Sequence, residues 1–171
     1  MKRCILLAGV SLIAIKAYAT EFYYDDYGNL TKEVHSNSSP KYSIEYTYDK
    51  NNKQTSQTYY NASGIMTRRY EDTYDSKGHQ TSHTYYSNAD NFTSNTPDAK
   101  YEYIYNTNNQ KVSQNYYSNG ELSVTSSYSY DDKGNQIKTE YTRTNGSSGY
   151  TEYRYDTNGN KISQTEYDAS G

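Results

Sequence analysis

Apolar and polar positions alternate along much of this chain. Tyr42-Ser43-Ile44-Glu45-Tyr46-Thr47-Tyr48 places a ring or an aliphatic group at every second residue, and Tyr101-Glu102-Tyr103-Ile104-Tyr105 repeats the spacing of its rings. A second kind of run, seen from Lys161 through Ile162, Ser163, Gln164, Thr165 and Glu166 to Tyr167, follows a polar interruption. Period two in Tyr, Thr, Ile and Val predicts strands. Nothing recurs at three or four residues, and Gly and Asn punctuate the chain throughout, so helices are not expected.

The interruptions are themselves a repeat. Tyr24, Tyr48, Tyr74, Tyr105, Tyr130 and Tyr155 are each followed by Asp or Asn, and the six anchors recur every 24–31 residues. Asp or Asn after the anchor can bond its own backbone ahead, which is turn chemistry. Four places after the anchor stand Gly28, Gly78, Gly134 and Gly159, with Asn52 and Asn109 in the other copies. Gly and Asn are the residues that best tolerate a positive φ. The unit therefore reads as a hairpin turn, not as a phosphate-binding loop, which would need a helix to follow. The longest interval holds an insertion at residues 87–100, with Pro97 inside it.

A four-residue loop would pair the anchor tyrosine with the fifth residue on. The tyrosine two places earlier would then face the seventh, which is Thr31, Thr55, Thr81, Val112, Ile137 or Ile162. The eleventh is Tyr59, Tyr85, Tyr116 or Tyr141 in four of the six copies. This register collects tyrosines and aliphatics on one face and Ser, Thr, Lys and Glu on the other. The expected fold is all-β: an antiparallel hairpin-repeat meander forming a strongly twisted or partly rolled sheet.

Composition changes the picture in three ways. The chain of 171 residues carries 25 tyrosines, two phenylalanines and no tryptophan. So few aliphatics raise the question of disorder. Tyrosine answers it, because each ring can bury about 150–250 Å² while its hydroxyl finds a partner; a core here must be built from tyrosine faces. The net charge of −3, without a basic stripe, makes nucleic acid a poor partner. Finally, residues 1–19 form a segment of different character. Lys2 and Arg3 precede an apolar run from Cys4 to Ile15, and Ala17-Tyr18-Ala19 supplies the small residues of a cleavage site. The run is too short to span a membrane. Residues 1–19 are expected to be a signal peptide and 20–171 a single β-repeat domain, secreted or periplasmic. The single cysteine, Cys4, would leave with the leader, and with it any disulfide, thiol nucleophile or thiolate metal site.

Tyr130-Asp131-Asp132-Lys133-Gly134-Asn135 and the copy from Tyr155 to Asn160 resemble the RHS or YD repeat, a cell-surface repeat of bacteria and animals centred on Tyr-Asp-x-x-Gly-Arg. The resemblance extends over most of residues 20–171. It implies curling β-strand shells, which in that family surround toxins, and carbohydrate binding in some members. The family's arginine after glycine is replaced here by Asn29, Lys53, His79, Gln110, Asn135 and Asn160. Six copies are also too few to enclose a cargo, so the shell role does not carry over. Tyr116-Tyr117-Ser118-Asn119-Gly120-Glu121-Leu122 is similar to bacterial MORN-like repeats, a group that includes antitoxin and immunity-type proteins.

Catalytic patterns are scarce. His35, His79 and His83 are the three histidines, and His79 and His83 fall in ordinary polar positions of the repeat. No Gly-x-Ser-x-Gly or His-Glu-x-x-His is present, no enzyme activity is expected, and no cofactor or metal is implied. Asp25-Asp26, Asp131-Asp132 and the Asp156-x-Asn158-x-Asn160 loop resemble oxygen-ligand loops for calcium, yet turn chemistry already accounts for them. Binding remains. Adjacent strand residues point to opposite faces, so the second ring of each doubled tyrosine should leave the anchor face. Tyr60, Tyr86 and Tyr117, with Tyr167 in the corresponding place, are the candidate ligand-binding residues. Such a row, set among hydroxyls and amides, would suit sugar rings. The loops at residues 36–40, 87–100 and 145–149 fall at the sheet end opposite the Asp-x-x-Gly turns, a common place for recognition. Tyr167-Asp168-Ala169-Ser170-Gly171 resembles Tyr60-Asn61-Ala62-Ser63-Gly64, which leads into a further strand, so the final strand is expected to be an open edge able to accept a partner strand or another copy. The expected partners are a surface glycan or an envelope protein. A periplasmic immunity module and a fragment of a longer repeat protein are the alternatives.

Overall fold

The computed structural model describes residues 2–4, 20–87 and 96–169, with the backbone alone for residues 2–4. The apolar run of the expected leader and most of the inserted loop lie outside the described residues. Thirteen strands run in chain order: β1 (Lys2–Cys4), β2 (Thr20–Tyr24), β3 (Leu30–His35), β4 (Tyr42–Tyr48), β5 (Gln54–Asn61), β6 (Met66–Tyr74), β7 (Gln80–Tyr86), β8 (Ala99–Tyr105), β9 (Lys111–Ser118), β10 (Glu121–Tyr130), β11 (Gln136–Arg143), β12 (Ser148–Tyr155) and β13 (Lys161–Asp168). Each is hydrogen-bonded to its chain neighbours, so the sheet order is the chain order. The expected all-β antiparallel meander is what the chain forms, and no helix occurs among the described residues. By its internal contacts the chain divides into two compact units, Met1–Asp72 with Tyr85–Asn95, and Thr73–Thr84 with Thr96–Gly171.

The repeated turn forms as its residues dictate. In the copy at Tyr130, the Asp131 N–H donates to the Asn135 carbonyl and the Gly134 N–H to the Asp131 carbonyl. Asp131 Oδ1 accepts the N–H groups of Lys133 at 3.0 Å and Asn135 at 2.8 Å, while Oδ2 accepts the Asn135 amide at 2.9 Å. The same set recurs at Asp25 with Tyr27 and Asn29, and at Asp156 with Asn158 and Asn160. Hydrogen bonds from Asn29, Asn135 and Asn160, and from His79 in the copy at Asp75, hold these carboxyls below the usual range. Asn52 and Asn109 take φ of 60° and 63° where the other copies have Gly, as the substitution pattern requires. The residue after the positive-φ position thus closes the turn locally. Asp25, Asp75, Asp131 and Asp156 are committed to backbone and neighbouring side chains.

The register differs from expectation. The loop has three residues, and the anchor pairs with the sixth residue on: Tyr24 with Leu30, Tyr48 with Gln54, Tyr105 with Lys111, Tyr130 with Gln136 and Tyr155 with Lys161. A three-residue loop alone would mix the faces. A bulge at the seventh residue restores them, so Tyr128 faces Thr139 and Ser126 faces Tyr141. The eleventh residue therefore shares the anchor face, as expected: Tyr59 opposes Ile44 and Tyr116 opposes Tyr101, with rings 4.9 Å apart in the second pair. The seventh residue does not. The Thr55 hydroxyl lies 2.9 Å from that of Thr47, Thr81 lies 2.8 Å from Thr73, and Thr31 donates to the Tyr23 carbonyl. That position turns toward the residue before the anchor. In the last two copies it leaves Ile137 and Ile162 exposed instead of adding them to an aromatic core.

The bulge also explains why the anchor is tyrosine. The Tyr48 hydroxyl donates to the Leu30 carbonyl at 2.8 Å, Tyr105 to Gln80 at 3.0 Å, Tyr130 to Lys111 at 2.7 Å and Tyr155 to Gln136 at 2.8 Å. Each acceptor is the sixth residue of the preceding copy, beside its bulge. One phenol therefore staples each of these four hairpins to the one before it. Tyr130→Phe keeps the ring and removes this bond. It is expected to cost about 1 kcal/mol of stability, read as a lower urea midpoint at unchanged slope.

Burial is thin and two-sided. Among the described residues no side chain is fully buried; the most buried apolar ones are Ile44 and Tyr86, and Thr58 and Thr84 are buried as well. Thr58, Thr84 and Tyr86 lie on the face opposite the anchors, by alternation with Tyr59 and Tyr85. The expectation of one aromatic core face and one merely polar face is corrected accordingly.

Candidate recognition surfaces

The face opposite the anchors carries a pattern that the doubled tyrosines only hint at. Three residues before an anchor stand Glu45, Glu71 and Glu102, and each meets the doubled tyrosine of its own copy. The Tyr117 hydroxyl donates to Glu102 at 2.8 Å, and Lys100 pairs with the same carboxylate at 2.7 Å while sitting 5.7 Å from the Tyr117 ring centre. The Tyr86 hydroxyl reaches Glu71 at 3.3 Å, and Arg69 pairs with Glu71 and lies 6.0 Å from the Tyr86 ring centre. Tyr60 lies near Glu45, whose other partner is Lys32 at 2.8 Å. Tyrosine, carboxylate and cation thus form a repeated triad. It was legible as Glu at fixed spacing before the anchor, a regularity that a search for aromatic rows alone passes over.

The electrostatics follow from that geometry. Burial, then the neighbouring carboxylates Glu45 and Glu71, raises the phenols of Tyr60 and Tyr86 above the usual value. For Tyr117 the hydrogen bond to Glu102 is the main cause. Glu102 is in turn held low, chiefly by its bond from Lys100.

The four candidate residues do not occupy equivalent settings. Tyr60 and Tyr86 are both in the first unit, with Arg69 close to each; Tyr86 is only 7% exposed, whereas Tyr60 is half-buried. Tyr117 and Tyr167 are half-buried in the second unit, on β9 and β13. Thr142 takes the corresponding place on the strand between them, β11. Tyr167 pairs across strands with Tyr150, their rings stacked at 4.5 Å and 17°, and Lys138 lies 4.3 Å from the Tyr150 ring centre. The hydroxyls of Tyr86 and Tyr117 are already engaged, which leaves ring edges and the flanking charges for any partner.

The anchor face has a polar cluster of its own. The register of β2 on β3 sets Thr20 opposite His35, with Thr20 Oγ1 3.3 Å from His35 Nδ1. His35 Nε2 is 2.9 Å from Glu33, which also accepts the Tyr46 hydroxyl at 2.6 Å. Burial and this bond to Glu33 raise the Tyr46 phenol strongly. His35 stands where other copies have the eleventh-position tyrosine, and its ring stacks on Tyr42 at 4.2 Å. His79 bonds Asp75 at 2.9 Å and stacks on Tyr105. Both histidines therefore have structural partners in the repeat. Among the described residues no group of His, Cys, Asp and Glu is arranged to hold a metal ion.

No family model matches the chain. No curated protein matches it either. Solved structures do. A TcdB2-TccC3-Cdc42 crystal structure is similar at a TM-score of 0.64 and 17% identity, over 87% of this chain and 8% of that one. TcdB2-TccC3 without its hypervariable C-terminal region is similar at 0.50 and 14% identity, over 88% of this chain and 9% of that one. A Tc holotoxin pore structure of Photorhabdus luminescens aligns at 0.49 and 13% identity, over 90% and 9%. The chain spans less than a tenth of those chains, and the first two likenesses are likenesses of fold.

Proposed function

We propose that this is an exported, non-catalytic RHS/YD-type repeat protein that binds a cell-surface glycan or related polymer. The observation carrying this reading is the repeated surface triad, in which stiff tyrosine rings stand beside carboxylates and cations at regular intervals. Rings give large contact area at low entropic cost, and the charged flanks give hydrogen-bond partners for hydroxyls. The resemblance of the turn motif to RHS/YD repeats and the fold likeness to TcdB2-TccC3 structures support the repeat assignment. Export rests on the leader-like residues 1–19, and a secreted or periplasmic location follows from it.

Tyr60, Tyr117 and Tyr167 are the contacts to test. The triple variant Tyr60→Ala, Tyr117→Ala, Tyr167→Ala is expected to lose retention on envelope polysaccharide by tenfold or more, roughly a kcal/mol per ring, while its circular dichroism stays native. Tyr86 is left out because a buried ring would confound folding with binding. Full retention by a folded triple variant would remove these rings from the site. The second reading is a periplasmic protein-binding or immunity module. It draws on the MORN-like stretch, where Asn119 and Gly120, at φ of 50° and 83°, form the two-residue turn joining β9 to β10. Edge pairing through β13, which has β12 as its described neighbour, belongs to that reading.

A further inference from the structure

Four of the grooves on the described surface divide by their charge. Three are lined by turn aspartates: one by Asp131 and Asp132, one by these with Asp156, and one by Asp25 and Asp49. The fourth, of about 580 Å³, lies within the first unit at the sheet end opposite those turns, and no carboxylate lines it. Its ionic groups are Lys41 and Arg68. Neither forms an ion pair among the described residues, in a chain whose net charge is −3.

The apolar part of this groove is built, not incidental. Ile44, 7% exposed, forms its floor, and Tyr42 and Tyr59 stand beside it. His35 stacked on Tyr42 fixes that ring, and Arg68 lies 4.2 Å above the Tyr59 ring centre, which holds the guanidinium in place. Asn61 at the rim is committed to its own turn, its Oδ1 accepting the Ser63 and Ile65 N–H groups at 3.0 Å. A volume of this size suits a ligand of one or two rings. Two unneutralised cations beside an aliphatic and aromatic floor call for a ligand with a partly apolar ring face and a carboxylate.

We propose that this groove binds an acidic sugar of the hexuronate class, with Arg68 and Lys41 pairing with its carboxylate and Tyr42 packing against the pyranose ring. The proposal rests on the surface-polymer reading above and specifies its ligand. Titration calorimetry of the purified protein with an oligogalacturonate and with the neutral galactose oligomer of equal length tests it. The acidic oligomer binds at least about tenfold tighter than the neutral one, and added salt weakens it. Arg68→Gln and Lys41→Gln, at exposed positions, leave the circular dichroism unchanged and each reduce hexuronate affinity severalfold or more.

Equal affinity for the two oligomers, or unchanged hexuronate affinity in both variants, overturns the proposal. Binding of polyglutamate as tight as that of the hexuronate overturns the sugar assignment. If the two oligomers bind equally and a Tyr117→Ala, Tyr167→Ala variant, which spares Tyr60 in the groove lining, loses both, the surface-polymer reading stands while this site falls. If neither oligomer binds, the site falls, and retention of envelope polysaccharide then decides the broader reading separately.

Discussion

Raised past about pH 10, the usual tyrosine value, the protein is expected to lose its sheet in one steep step. Burial raises the phenols of Tyr46, Tyr48, Tyr60, Tyr86, Tyr105, Tyr128 and Tyr130, and the bond to Glu102 raises Tyr117. A native pKa above the unfolded one means that the folded chain keeps protons which the unfolded chain has released. The stability this supplies is complete below the unfolded value and is lost as the pH climbs through the native ones. Each phenol held neutral in the folded chain adds about 1.4 kcal/mol per pH unit to the loss, less where solvent screens it, and several acting together make the transition steep.

The mechanism is structural as well as electrostatic. An ionised Tyr48, Tyr105 or Tyr130 can no longer donate to the carbonyl that it staples. Phenolate absorbance and far-ultraviolet circular dichroism, followed together against pH, check this. They should change in one coincident, cooperative transition. Independent titration near pH 10 with the sheet intact would show that the tyrosines do not hold the fold.

The second large effect is expected at Gly149. This residue is buried in β12, between Tyr141 of β11 and Asp168 of β13. A Cβ there would meet the Tyr167 carbonyl oxygen at 2.6 Å, the Tyr141 hydroxyl at 2.7 Å and its Cζ at 3.0 Å. The carbonyl belongs to a paired strand and cannot yield without moving β13. The Tyr141 ring covers the glycine, an arrangement that compensates the missing side chain. Gly149→Ala should therefore destabilise by about 1–3 kcal/mol, as overpacking does, and lower the melting temperature by several degrees per kcal/mol. Adding Tyr141→Ala relieves the contact with the ring but not the contact with the carbonyl. The double variant should accordingly not recover native stability. An unchanged melting temperature in the single variant would mean that β12 and β13 are not packed as described.

The contrast between what was legible in the chain and what was not follows from interaction range. Turn chemistry is local, so Asp131, Gly134 and the replacement of Gly by Asn52 and Asn109 announced a hairpin from sequence alone. Strand type followed from period two, and the anchor and eleventh-position tyrosines were placed on the same face. The bulge was not legible. Register depends on which carbonyl the next copy's tyrosine captures, and that is a contact between repeats roughly twenty residues apart. Missing it misplaced Thr31, Thr55 and Thr81. The surface triads show the opposite case: Glu45, Glu71 and Glu102 stand at constant spacing, yet their meaning emerged only once Tyr117 and Lys100 were seen on one carboxylate. The cationic groove could not have been read from spacing. It joins Lys41, just before β4, to Arg68 on β6 across the intervening β5.

The measurement that tests the central claim most directly is the identity of what the protein retains from an extract of its own cell envelope. Immobilised residues 20–171 should retain a polysaccharide, released by salt, and its composition should be rich in uronic acid. Retention of one stoichiometric protein with no carbohydrate would contradict the account and favour the immunity-type reading instead.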